Sequence, residues 1–160
     1  MPTKAQNPIP EGMNSLTTQL WFNGNCREAV DFYQKAFNAI PVGNIAYGPD
    51  SKSVIHAMLK IGDTNIMLAD AMPGGWETGP EENATSGMYL YVPDCDKIYN
   101  QAISAGCKVS VEMMDAFWGD RMGKVIDPFG HSWSIATFKW KLSPEEIKKA
   151  QDDWMKSVKM

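Results

Sequence analysis

The 160-residue chain reads as an α+β protein built from two tandem β-α-β-β-β modules and a C-terminal helix. Three observations point there. The stretches "QLWFNGNCREAVDFYQKAFNA" and "MYLYVPDCDKIYNQAISAGCKV" share one strand, turn, helix pattern. Each is followed by strand-like segments ending in a hairpin, and the hairpin glycines Gly62 and Gly130 stand about 68 residues apart. That period is too long for a solenoid repeat and suits a duplicated module. The closing stretch "SPEEIKKAQDDWMKSVKM" opens with a full helix-start signal.

The elements follow in order. Residues 1–14 are polar and Pro-rich and read as a flexible lead-in. Residues 15–72 form the first module, 73–84 a turn-rich linker, 85–140 the second module and 141–160 the C-terminal helix segment. In the first strand Leu16, Thr18, Leu20 and Phe22 alternate toward the core, which leaves Thr17, Gln19 and Trp21 on the other face. The first helix is expected to start at Asn25, with Glu28 completing a capping box. Ala29, Val30, Phe32, Tyr33, Ala36 and Phe37 keep helical spacing along it. Farther on, Ile55, Ala57 and Leu59 alternate inward, and a turn at Ile61-Gly62-Asp63 joins two strands. The second helix is expected to start at Asp94, bury Ile98, Ala102 and Ile103, and stop at Gly106. Asp127-Pro128-Phe129-Gly130 makes the second hairpin turn. Ser143, Pro144 and Glu146 start the last helix, whose stripe of Ile147, Ala150, Trp154 and Val158 needs a surface to dock on.

Composition narrows the function. A net charge of −4 argues against a nucleic-acid partner or an anionic membrane surface. No apolar run approaches the roughly 18 residues that would span a bilayer, and the N-terminus lacks a signal peptide's apolar core. Three cysteines, Cys26, Cys95 and Cys107, are odd in number and form no CxxC. They fit a reducing cytoplasm and small buried side chains. Phosphate-loop, dinucleotide and serine-hydrolase motifs are absent from the sequence. Six Trp and eleven Met suit either an adaptable surface for apolar ligands or a soft core.

The tandem modules resemble the vicinal oxygen chelate superfamily of glyoxalases, extradiol dioxygenases and bleomycin-resistance proteins. "WFNGNCREAVDFYQKAF", "IHAMLKIGDTNIMLAD" and "FWGDRMGKVIDPFGHSWSIAT" followed by "LSPEEI" are similar to its bacterial phosphonate-operon B-type subfamily, often labelled 3-demethylubiquinone 3-methyltransferase-like. The resemblance covers about residues 15 to 147. It implies a curved mixed sheet with a concave cleft, a small-molecule ligand and a homodimer. The subfamily often ends its last strand "ATHxED", whereas this chain reads Ala136-Thr137-Phe138-Lys139-Trp140-Lys141.

Metal-dependent relatives place one ligand on the first strand and one on the last strand of each module. Carried over by strand alternation, those places fall on Thr17 and Met67 (Ile66 if the hairpin is shorter) and on Gly87 and Ser134. First-row divalent ions want imidazole, carboxylate or thiolate donors, so no metal and no other cofactor is expected.

Other side chains carry two readings each. His56 is the candidate catalytic residue, a general base or a hydrogen bond to ligand, or else a structural imidazole. His131 alternates away from Ser134 and reads as a turn-capping or surface group. Trp118 is either a lid that stacks on an aromatic or cationic ligand or a core plug. Asp120 and Arg121 read as a structural pair that orients their loop. Lys124, on the concave side with Met122 and Ile126, would meet an anionic group. The expected function is binding of an apolar or aromatic molecule by Gln19, Trp21, His56, Met58, Met67, Tyr89, Tyr91, Trp118, Met122, Lys124 and Ser134. The rival is a metal-dependent lyase, isomerase or dioxygenase.

Overall fold

The computed structural model describes residues 1–158. Lys159 and Met160, part of the expected C-terminal helix segment, lie outside the described residues. The chain divides into two compact units, Met1–Glu81 and Glu82–Met160. Each builds its own mixed sheet.

In the first unit, β1 (Gln19–Phe22) leads into α1 (Cys26–Phe37), then β2 (Ile40–Pro41), β3 (Ala46–Tyr47), β4 (Val54–Ile61) and β5 (Thr64–Asp70). The sheet runs β1-β5-β4-β2, with β3 also on β4. β1 is parallel to β5 and the remaining pairs are antiparallel. Four strands thus follow α1 where three were expected, because two short edge segments share β4. β1 also starts later than the alternation suggested. Leu16 is 89% exposed and Thr18 is exposed as well, while Leu20 and Phe22 are buried. No strand pairs with residue 16, so its alternation has no sheet face to act on.

One face of the first sheet carries Leu20, Phe22, Ala57, Leu59, Ile66 and Leu68. Helix α1 covers it with Cys26, Ala29, Val30, Tyr33, Ala36 and Phe37. Ile55 lies outside this core, being exposed. The β3–β4 pairing slips between Ala46 and Tyr47, and that irregularity breaks the inward alternation before Ala57. The capping box at Asn25 is not made either, since its side chain accepts no cap hydrogen bond. The buried carboxylate of Asp70 takes that role: Oδ1 accepts from Cys26 N at 2.9 Å and Oδ2 from Val54 N at 2.8 Å. An oxygen anion at the first turn satisfies an orphan N–H and complements the helix dipole.

The second unit is β-α-β-β-β as expected: β6 (Gly87–Tyr91), α2 (Cys95–Ala105), β7 (Lys108–Asp115), β8 (Asp120–Ile126) and β9 (Ser132–Phe138). The sheet order is β6-β9-β8-β7, with β6 parallel to β9. Asp94 caps α2 by accepting from Lys97 N at 3.1 Å, and Gly106 ends it at φ 129°. Here the sheet reaches the helix through a hydroxyl. Thr137 Oγ1 accepts from Cys95 N at 2.9 Å and donates to the Val92 carbonyl at 2.8 Å.

The turn between β8 and β9 is organised by buried Asp127. Its Oδ1 accepts from Phe129 N at 2.9 Å and His131 N at 3.0 Å, and its Oδ2 accepts from the Trp133 indole at 2.9 Å. It is therefore the backbone of His131 that takes part in closing this hairpin. The His131 side chain is buried, on the α2 side of the sheet with Trp133 and Ile135.

Helix α3 (Pro144–Ser157) carries the expected capping box. Glu146 N donates to Ser143 Oγ at 3.2 Å, and Ser143 N donates to Glu146 Oε2 at 2.7 Å. None of its described residues is buried, although the Trp154 ring lies 5.6 Å from that of Phe117. All three cysteines are free and buried. Burial pushes the Cys26 and Cys107 thiols up to about 12, which makes both poor nucleophiles near neutrality.

Candidate functional site

Each unit has one sheet face that its own helix leaves uncovered, and the candidate residues lie there. In the first unit that face presents Gln19 and Trp21 from β1, Met67 from β5, and His56 and Met58 from β4. Met67 is opposite Gln19 on one side and Met58 on the other. Gln19 is exposed, and the other four are half-buried. His56 sits opposite Ala46. Among the described residues no carboxylate hydrogen-bonds its imidazole, so the orienting partner that a general base uses is absent from this arrangement.

The second unit's face is more organised. β6 places Tyr89 opposite Ser134 and Tyr91 opposite Ala136, while β8 places Lys124 and Met122 against the same two β9 residues. Alternation along β8 then brings Asp120 to this face. Its Oδ2 accepts from Tyr89 Oη at 2.8 Å, Tyr91 Oη at 2.8 Å and Trp118 Nε1 at 2.9 Å. Asp120 is only 2% exposed, whereas Tyr89, Tyr91 and Trp118 are 44%, 58% and 36% exposed. Three aromatic side chains thus point their polar tips at one buried oxygen and keep ring surface in water. Burial first, and the Asp120 hydrogen bond second, push the Tyr89 hydroxyl up to about 12. For Tyr91, also raised, the Asp120 bond is the larger cause. Both hydroxyls therefore remain protonated donors near neutral pH.

The segment before Asp120 is held for this purpose. Gly119 takes φ 105°, and a Cβ there would stand 2.2 Å from the Trp140 carbonyl oxygen. Ala116 N donates to the Asp120 carbonyl at 2.7 Å, and Lys139 and Trp140 both donate to the Gly119 carbonyl. A left-handed glycine lets β9's extension pass this close to the turn.

Asp120 and Arg121 are not the mutual pair that their adjacency suggested. Successive strand residues face opposite ways. Asp120 meets the aromatic group, while Arg121 turns to the α2 side and holds Asp96 through two bonds of 2.7 and 2.8 Å, with Asp115 at 3.4 Å. Met122 is on the expected face but lies beneath the surface, buried with Ala116 and Ala136 and packed by Met114. Ser134 is buried too, and Lys124 is exposed.

Strand alternation was expected to carry the ligand places of metal-dependent relatives onto Thr17, Met67 (or Ile66), Gly87 and Ser134. Thr17 precedes β1, Met67 is half-buried, Gly87 sits opposite Ser132, and Ser134 is opposite Tyr89. Two hydroxyls, a thioether and a residue with no side chain do not fit a divalent first-row ion.

Two β-α-β modules in tandem, each a helix-backed mixed sheet with its other face carrying the candidate side chains, define a glyoxalase-type fold. The chain belongs to the Glyoxalase/Bleomycin resistance protein/Dioxygenase superfamily, whose family model matches residues 17–135. An uncharacterised protein of Mycobacterium bovis is 39% identical over 127 residues, covering 76% of this chain and 82% of the relative. A PhnB protein structure from Bacillus cereus is similar with a TM-score of 0.62 at 19% identity, covering 78% of this chain and 99% of the other. The Listeria monocytogenes fosfomycin resistance protein FosX, in complex with Mn(II) and sulfate, gives 0.59 at 14% identity over 83% and 95% of the two chains. At these identities the two structures share the fold with this chain.

Proposed function

We propose that this protein binds a small apolar or aromatic molecule on a helix-free sheet face, foremost that of its second unit, without using a metal ion. The observation that carries this reading is the exposed group of Tyr89, Tyr91 and Trp118 gathered on Asp120. Aromatic side chains fixed at their polar ends offer ring surface at little further entropic cost. Gln19, Trp21, His56, Met58 and Met67 supply contacts on the first unit's face, and Lys124 and Ser134 on the second. The wording of "FWGDRMGKVIDPFGHSWSIAT" is similar to the phosphonate-operon B-type subfamily, and our reading assigns the protein to it as a cytoplasmic homodimer. The partly exposed Trp154 of α3 offers one contact between copies.

Ligand binding to the native state raises its melting temperature. A panel of aromatic and apolar compounds screened by thermal shift, with hits confirmed by titration calorimetry, is expected to yield saturable binding that Trp118→Ala weakens. A panel without any saturable hit removes the reading. Sedimentation showing only monomer at high concentration removes the dimer.

The rival reading is a metal-dependent enzyme, favoured by the FosX structure with Mn(II). Elemental analysis of protein purified without chelators decides between the two. One divalent ion per chain would support the enzyme and overturn the metal-free site.

A further inference from the structure

Asp120 is a buried carboxylate whose partners are all neutral. A buried acid is matched by a cation or by several hydrogen-bond donors, because an isolated charge costs much free energy inside a protein. Asp70 has only backbone N–H donors, whereas the donors of Asp120 are exposed aromatic side chains. Among the described residues no Lys, Arg or His lies within ion-pair distance of Asp120, and Arg121 next to it is committed to Asp96 and Asp115. Lys124 shares the face but stands four residues along β8, about 13 Å away at strand rise. Lys124 makes no ion pair with Asp120.

Two tyrosine hydroxyls and one indole N–H donate to a single oxygen of this anion. Each donation shifts electron density back into its ring and strengthens the negative π face. The Tyr89 and Tyr91 ring centroids are 5.2 Å apart with planes inclined at 43°, so the pair presents an angled surface and not one flat stack. Three electron-enriched rings around one uncompensated negative charge make a surface complementary to a positive group with little hydration of its own.

We infer that the Tyr89, Tyr91 and Trp118 group, charged by Asp120, recognises an organic cation, an alkylated or quaternary ammonium carried by the small-molecule ligand. This inference rests on the ligand-binding reading above and adds the charge of the ligand to it. The ammonium sits against the ring faces, and Asp120, acting through the rings it holds, is a positioning and charge-supplying residue.

The test compares choline with 3,3-dimethylbutan-1-ol, its uncharged carbon isostere, by titration calorimetry on the full chain. Choline is expected to bind about tenfold more tightly, a preference typical of cation–π recognition. Asp120→Asn, which keeps the side-chain shape, is expected to bring the ratio near one. Tyr91→Phe, which keeps the ring and loses one donation, should lower it by about two- to fivefold. Equal or weaker binding of choline overturns the inference, as does an unchanged ratio in folded Asp120→Asn. If Asp120→Asn loses its cooperative melting transition, Tyr91→Phe decides by the same ratio. Neutral aromatics that bind while choline does not would sink the cation and leave the ligand site standing. Failure of both compound classes would remove the two readings together.

Discussion

The two units begin their helices in the same way but hold them with different chemistry. Each helix starts at a cysteine whose N–H is accepted by a side chain from the end of the unit's last strand. In the first unit that acceptor is the Asp70 carboxylate, which also binds Val54 N. In the second it is the Thr137 hydroxyl, which itself donates a hydrogen bond to the Val92 carbonyl. The helix-free faces diverge in the opposite sense. The second unit has a buried carboxylate there, whereas the first presents Gln19, Trp21, His56, Met58 and Met67. Asp70 in the first unit and Asp127 in the second are thus buried in the service of the fold, whereas Asp120 of the second holds a surface. An anion without a structural task of comparable weight in the duplicate is the better guide to ligand chemistry.

Substitutions can break this contrast. Asp70→Ala removes a charged acceptor and leaves two buried N–H groups unsatisfied, so it is expected to cost about 3–5 kcal/mol in urea denaturation. Gly119→Ala comes next, at about 2–3 kcal/mol, because its Cβ meets the Trp140 carbonyl and its φ disfavours any side chain. That variant should also lower the affinity for any ligand that Trp118 contacts, since the same turn places Trp118 and Asp120. Thr137→Val removes one neutral acceptor and is expected to cost about 1 kcal/mol. Equal losses for Asp70→Ala and Thr137→Val would show that the two caps do the same job and that the contrast is one of spelling.

The smallest effect is a pH dependence confined to the second unit. Its hydrogen bond to Arg121 holds the Asp96 carboxyl below the ordinary range. A depressed folded-state value means that the contribution is present above the unfolded carboxylate value of about 3.9 and is lost as pH falls through the folded value. Both partners are well exposed, so the gain is a screened one. Melting curves between neutral pH and pH 3 should converge for the wild type and Asp96→Asn at the acid end, with the wild type slightly higher at neutrality. A constant gap across that range would assign the Asp96 contact a role other than charge.

Local chemistry was readable in advance. Asp94 and Gly106 mark the ends of α2, Ser143 with Glu146 makes the box of α3, and Asp-Pro-Phe-Gly forms the second hairpin, all through contacts within a few residues. Asn25 misled for the converse reason. It has the right residue type at the right distance from Glu28, but a carboxylate from the last strand took the position. The placement of Tyr89 and Tyr91 on one face follows from alternation. Their convergence on Asp120, about 30 residues away, depends on how β6, β9 and β8 pair, and no local spacing encodes that. Asp120 and Arg121 part company because neighbours on a strand cannot share a face. The short β2 and β3 were missed because two-residue edge segments carry no period.

The cap that Asp70 places on α1 joins residues 44 positions apart, and that of Thr137 on α2 joins residues 42 apart. During synthesis each helix therefore emerges long before its acceptor does, and gains it only when the last strand of its own module has been made. Neither helix borrows this bond from the other module. Each module thus carries its own means of closure, and the open face of either can hold a different set of side chains without unfastening its helix.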